Sequence, residues 1–358
     1  MSKPVRLEDI PFEETMADEP AAPSFLEVFE EEKQRRETAR RYWFRHTKDG
    51  LINTAFHNLL KLLPCRFVSD FGKALVPLAR WSYRDKVFPN RIARNFRALT
   101  PTRWTNEVDE QAGLDRWWIN IGRTISEYCV LNRFWKEGRI EVEGMDHYEA
   151  ACRLGGPPIF ATVHLGTWEA VLGSINEGIA GPNIATYQPE PNRFKNRIVH
   201  AIRKKRNQYV FPPGQRSAFH LHRLMKTGQY SLTIFIDEVR DNQIHLPLFG
   251  RKVPDKGNAV IAVKLANVSG GNLMPTYLTR LGPSRFRLTI LPALRRPEGQ
   301  STYDIRGTVQ ALNDVFEPII LDHLEEWYML GELRLPKNFE EGTYAKALAQ
   351  KNAEKRMI

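Results

Sequence analysis

The chain has 358 residues, 42% of them hydrophobic and 26% charged, a globular composition that excludes pervasive disorder and suffices for a sizeable core. Three cysteines, Cys65, Cys129 and Cys152, stand without CxxC spacing, which excludes a disulfide scaffold and a multi-cysteine zinc site. The formal charge is +10, but residues 1–32 set ten acids against Lys3 and Arg6, a net of −8, so the remaining chain carries +18 and should attract polyanions: nucleic acid, an anionic membrane surface or an acidic protein.

The start MSKPVRLEDI has no apolar core segment, so no secretory signal is expected, and no run of 18 apolar residues predicts a membrane-spanning helix. Residues 1–25 read as a disordered acidic leader, and residues 26–48 as a highly charged helix, together a first region over 1–48. A helical, membrane-facing region follows over 49–138. Within it, Leu51, Phe56, Leu59, Leu60 and Leu63, then Phe67, Phe71, Leu75, Leu78 and Trp81, recur near helical spacing on either side of Pro64. That pattern predicts two amphipathic helices, whose cationic polar sides and Trp/Phe content suit a core or a lipid interface. Another helical stretch covers roughly 87–135. From about residue 139 short β-rich runs alternate with helical ones: IEVEG, PPIFATV, NIATYQ, QYVFP, SLTIFID, NLMPTYLTR and RFRLTILPAL. Strands alternating with helices predict an α/β core over 139–336 with a mostly parallel sheet, its last two strands antiparallel, closed by a helix over 302–328. Residues 337–358 form a charged tail.

The buried strand IFATV ends in His164, followed by Leu165, Gly166, Thr167, Trp168 and Glu169 and then an apolar helix. Spacing alone says little. The context matters, because open α/β sheets carry their sites at the carboxyl ends of strands. There, Glu169 one turn into the helix could hold one imidazole nitrogen of His164 while the other accepts a substrate proton. Gly166 and the helix start could offer backbone N–H groups to an oxyanion. No G-x-S-x-G, Walker A or strand-following G-x-G-x-x-G is present, and His220 and His222 fall on a helical pattern that points them apart, so no metal and no cofactor is expected. Residues 193–206, RFKNRIVHAIRKKR, are the densest basic stretch. Arg193, Arg197, His200 and Lys204 should share one helix face, with Phe194 and Ile198 turned inward. It lacks interleaved aromatics, which argues against single-stranded nucleic acid.

IFATVHLGTWEAV resembles the H-x4-[DE] block of the bacterial lipid A biosynthesis acyltransferases, within the lysophospholipid acyltransferase superfamily. Further segments are similar to family blocks in the same order: RIARNFRALTP, RIEVEGMDHYEAA, the stretch TIFIDEVRDNQIHLPLFGRKVPDKGNAVIAVKLANVSGGNLMPTYLTRL, and LNDVFEPIILDHLEEWYML. The resemblance covers about residues 88–336. It implies transfer of a fatty acyl chain from a thioester, on acyl carrier protein or coenzyme A, to a hydroxyl of a membrane lipid or glycolipid at the cytoplasmic face of the inner membrane. His164 would be the general base and Glu169 its orienter. Gly166, Arg203, Asp237, Arg240, Phe249 and Gly250 would contact substrate. Three departures stand out: no spanning N-terminal helix is evident, Asp237–Glu238 replaces the usual aspartate–glutamine, and WYMLGELRL lacks the family's histidine.

Acyl carrier proteins are acidic, so Arg193, Arg197 and Lys204 are candidates for donor docking. The NIATYQ strand is expected beside the strand that ends at His164. Without a spanning helix, attachment to the membrane should be peripheral or monotopic. The competing readings are a basic nucleic-acid-binding module and a non-catalytic membrane-surface protein on the same fold. Either would be indifferent to His164, and the leading reading expects no nucleic-acid partner.

Overall fold

The computed structural model describes residues 6–100 and 107–335, so the expected tail over 337–358 lies outside the described residues. The strands are β1 (Ile140–Glu143), β2 (Pro158–Thr162), β3 (Asn183–Thr186), β4 (Tyr209–Phe211), β5 (Ser231–Phe235), β6 (Val239–Arg240), β7 (Gln243–Ile244), β8 (Asn272–Gly282) and β9 (Arg285–Ile290). Among the described residues, seven of them form one sheet in the order β1-β9-β8-β2-β5-β3-β4, and β6 and β7 make a separate antiparallel hairpin. Every neighbouring pair in the large sheet is parallel except β8 and β9. The two residues between β8 and β9 permit only a hairpin, whereas the other connections are long enough for a helical crossover.

β2 and β5 occupy the middle and are buried on both faces, which is why IFAT and LTIF read as continuous apolar runs. Ile159 and Ala161 face a core shared with helices Asn258–Ser269 and Ile305–Asp322, while Phe160 faces a second core with Phe134, Val171 and Met274. The strand expected beside β2 is displaced: β5 lies between β2 and β3. It is therefore the end of β5 that meets the end of β2.

The leader is ordered where it is described. Leu7, Ile10 and Phe12 are buried in the main core, and short 3-10 turns span Leu7–Asp9, Phe12–Thr15 and Phe25–Phe29. A composition dominated by acids predicts disorder, but three well-spaced apolar anchors are enough to dock it. The amphipathic stretch forms three helices rather than two, His46–Leu60, Cys65–Ala74 and Val76–Tyr83, because Pro77 starts a new helix after the break expected at Pro64. Much of its apolar set is turned outward: Leu59, Leu62, Phe67, Leu78 and Trp81 are all more than half exposed. No described helix is long and apolar enough to cross a membrane.

Helix Cys65–Ala74 crosses helix Glu107–Glu127 at two glycines. A Cβ on Gly72 would lie 2.3 Å from the Gly122 carbonyl oxygen, and one on Gly122 would lie 2.7 Å from that of Gly72. The backbones touch there, so the outer helix is held close to the body. Gly72→Val should therefore lower the unfolding free energy by about 1–3 kcal/mol, read as a shift of the urea midpoint.

Candidate active site

Thr162 of β2 pairs with Phe235 of β5, and the Ile236 amide donates to the Thr162 carbonyl at 2.9 Å. Each strand then runs on two residues, to His164 and to Asp237. Parallel register thus sets these two side by side at the carboxyl edge of the sheet. His164 Nδ1 lies 2.7 Å from Asp237 Oδ1, and the His164 amide donates to Oδ2 at 2.9 Å. The same Oδ2 accepts the indole N–H of Trp327 at 2.9 Å. Asp237 is completely buried. Trp327 is itself fixed, since its carbonyl accepts the Trp117 indole N–H at 2.9 Å, and the next amide, of Tyr328, donates to the His164 carbonyl at 3.0 Å.

A carboxylate oxygen accepts, so Nδ1 is the donor of that bond and the neutral imidazole carries its free lone pair on Nε2. Phe235 and Trp168 flank the ring at centroid distances of 4.4 and 5.5 Å, and Tyr328 lies tilted against Trp168 at 4.4 Å. These aromatics make an apolar collar around a histidine side chain that retains 15% exposure. The turn after His164 requires Gly166, whose φ is +55° and where a Cβ would approach the Leu278 carbonyl to 3.1 Å.

Glu169 stands elsewhere than the sequence suggested. Its carboxylate takes a two-pronged pair from Arg203, Nε to Oε1 at 2.9 Å and Nη2 to Oε2 at 3.0 Å, with Arg206 Nη2 at 3.4 Å from Oε1. It does not hold the His164 imidazole; Asp237 does. The reason is register: Asp237 reaches Nδ1 from the neighbouring strand end, while two arginines draw Glu169 away. Burial pushes the Glu169 carboxyl up, but Arg203, Arg206 and the nearby His164 together outweigh it and hold it below its usual range. Arg203 also lies over the Tyr187 ring at 4.5 Å. Arg206, which ends the densest basic stretch of the sequence, is buried, with Nε and Nη1 unpartnered.

A second buried pair braces the turn. Arg280 donates to Glu127 at 2.7 and 2.9 Å and to Thr167 Oγ1 at 2.9 Å, and the Thr124 hydroxyl donates to the Gly166 carbonyl at 3.1 Å. Glu238, next to Asp237, is pushed up to about 8, chiefly by burial and then by the Asp237 charge, although the Asn258 amide donates to its Oε1 at 2.6 Å. Neither feature was legible as part of a site. Arg280 and Glu127 are separated by more than 150 residues and meet only where β8 passes the end of helix Glu107–Glu127.

The remaining candidate residues divide. Arg240 and Gly250 are exposed, whereas Phe249 is buried with its ring 5.9 Å from Trp327, behind Asp237 rather than at the mouth. Arg193 departs from the expected basic face. It turns inward, donating to the Tyr42 carbonyl at 3.0 Å and stacking on the Tyr42 ring at 3.9 Å, while Phe194 packs on Gly50 of helix His46–Leu60 rather than on the sheet. Arg197 and Lys204 stay on the outer face, paired with Glu19 and Glu13 of the leader.

A mostly parallel sheet with an Asp–His pair at its carboxyl edge, its aspartate buried and its imidazole flanked by aromatics, defines the class of this α/β protein. The family model for the bacterial lipid A biosynthesis acyltransferases matches residues 37–334, and the chain belongs to that family, whose members are acyltransferases acting on lipid. No curated protein matches the chain.

The Glu169 pair makes a signed prediction. With Arg203 present, the lowered carboxyl stabilises the fold fully above its unfolded value, and this is lost as pH falls through the folded value. Arg203→Met leaves burial dominant and should cost about 3–5 kcal/mol at neutral pH. The difference between variant and wild type in urea unfolding should shrink as pH is lowered from 8 to about 4, near the ordinary glutamate range.

Proposed function

We propose that the protein transfers a fatty acyl chain from an acyl thioester, on acyl carrier protein or coenzyme A, to a hydroxyl of a membrane lipid or glycolipid, as in a late acylation of lipid A. The observation that carries this reading is the free Nε2 of an imidazole pinned by Asp237, set within an aromatic collar. Nε2 accepts the proton of the acceptor hydroxyl as its oxygen attacks the thioester carbonyl. The tetrahedral intermediate collapses with breakage of the C–S bond, and the imidazolium returns the proton to the departing thiolate. Asp237 keeps the ring in the required tautomer and compensates the imidazolium. Glu169 contributes by ordering Arg203 beside the site, a positioning role rather than the orienting one that spacing suggested.

The acceptor would be met at the cytoplasmic face of the inner membrane. Leu59, Leu62, Phe67, Leu78 and Trp81 supply apolar surface for peripheral attachment, and the basic body supplies attraction to anionic headgroups. Burying each large side chain in the interface contributes about 1.5–3 kcal/mol. Leu59→Ser with Leu62→Ser and Trp81→Ser should therefore weaken partition onto anionic phospholipid vesicles by about 100-fold or more in sedimentation, and carbonate should strip the wild-type protein from membranes.

His164→Ala should lower kcat by about 100-fold or more while circular dichroism and melting stay near wild type. Asp237→Asn can present an N–H to Nδ1 and favour the wrong tautomer, so it should lower kcat comparably with little change in KM. Near-normal turnover in both would remove the histidine from the chemistry.

A further inference from the structure

The acidic leader is strapped across the outer basic helices, Arg193–Lys204 and Gln215–Lys226. Leu7, Ile10 and Phe12 fix it in the core, and the Tyr187 hydroxyl donates to the Thr15 carbonyl at 3.1 Å and accepts the Ala17 amide at 3.0 Å. Between and beyond those anchors three of the leader's acids, Glu13, Glu14 and Glu19, meet cations. Lys204 donates to Glu13 at 2.9 Å; Arg197 grips Glu19 with bonds of 2.6 and 2.7 Å; Glu14 takes Arg216 and lies 3.0 Å from His220 Nε2. Lys204 holds the Glu13 carboxyl below its usual range, and Arg197 does the same for Glu19. The three anionic side chains thus follow the cations of two different helices. This surface adjoins the candidate site, because the Tyr187 ring that carries the strap also faces Arg203, the partner of Glu169. The family match begins at residue 37, so the strap lies outside it.

We propose that this basic face is the docking surface for an acidic protein that delivers the acyl thioester, and that residues 6–19 occupy it as an intrachain competitor when that partner is absent. The inference rests on the acyltransferase reading for its choice of partner. The anchors Leu7, Ile10 and Phe12 keep the strap tethered, while the Glu13, Glu14 and Glu19 contacts are charge pairs nearer the surface that an incoming anionic helix can replace.

The test neutralises the competitor without touching the surface or the site, with Glu13→Gln, Glu14→Gln and Glu19→Gln combined in the full chain. Binding of fluorescently labelled apo acyl carrier protein is read by anisotropy, and KM is measured with acyl carrier protein and with a small acyl thioester as donors. Exposed pairs are individually weak, so three together should tighten carrier binding and lower its KM by about tenfold. Raising the salt to 0.5 M should erase that gain. The small-thioester turnover should be unchanged. Carrier affinity that stays constant or weakens in the triple variant overturns the proposal, as does an equal fall in KM for both donors. If wild-type protein transfers from neither donor, the catalytic reading has failed, while the anisotropy comparison still decides whether the strap competes for an acidic partner.

Discussion

The Asp237 carboxylate is the point at which three parts of the chain are made to agree. Its oxygens accept the amide and the imidazole of His164 and the indole of Trp327, so the end of β2, the end of β5 and the C-terminal segment converge on one buried group. Trp327 reaches further, through its carbonyl to Trp117 on helix Glu107–Glu127, and the Tyr328 amide returns to the His164 carbonyl. A buried carboxylate must have its acceptor capacity met, and each donor that meets it also fixes a wall of the site. The geometry of the histidine is therefore inseparable from the docking of the last described segment.

Around this centre the charges are arranged in compensated groups. Glu169 is gripped by Arg203 and approached by Arg206; Glu127 is gripped by Arg280. Both pairs hold the turn from His164 to Glu169, one from the helical start and one through Thr167 and the Gly166 carbonyl. Buried pairs of this kind add little net stability, because desolvation offsets much of their attraction, but removing one member exposes the whole desolvation cost. Their contribution is to define a single arrangement of a glycine-containing turn that would otherwise have several.

The uneven charge along the chain is folded back on itself. The acidic leader and the basic helices, more than 170 residues apart, are partners across one surface. The apolar stripes of residues 46–83 are handled oppositely: helix Cys65–Ala74 is clamped to the body through Gly72 and Gly122, while Leu59, Leu62, Phe67, Leu78 and Trp81 are left facing out. An outer layer held by close backbone contact frees its bulky side chains for another surface. These two features together divide the exterior into an apolar face and a strapped basic one.

The sequence by itself determined the α/β class, the mostly parallel sheet with its final hairpin, and the position of His164 at a strand end. Local patterning carries that information: continuous apolar runs for strands buried on both faces, amphipathic spacing for the helices, and a glycine turn after the histidine. Which acid meets His164 was decided only by tertiary structure. Glu169 is five residues away and Asp237 is 73, yet strand order places β5 beside β2 and aligns Thr162 with Phe235, so the distant acid arrives at Nδ1 and the near one turns to Arg203. The same holds for Arg193, whose helical position suggested solvent and whose guanidinium found the Tyr42 carbonyl, and for the leader, whose acids suggested disorder and whose Leu7, Ile10 and Phe12 found the core. Periodicity reports which face of an element is apolar. It cannot report what stands opposite that face, because partners are chosen by strand order and helix packing among segments far apart in the chain.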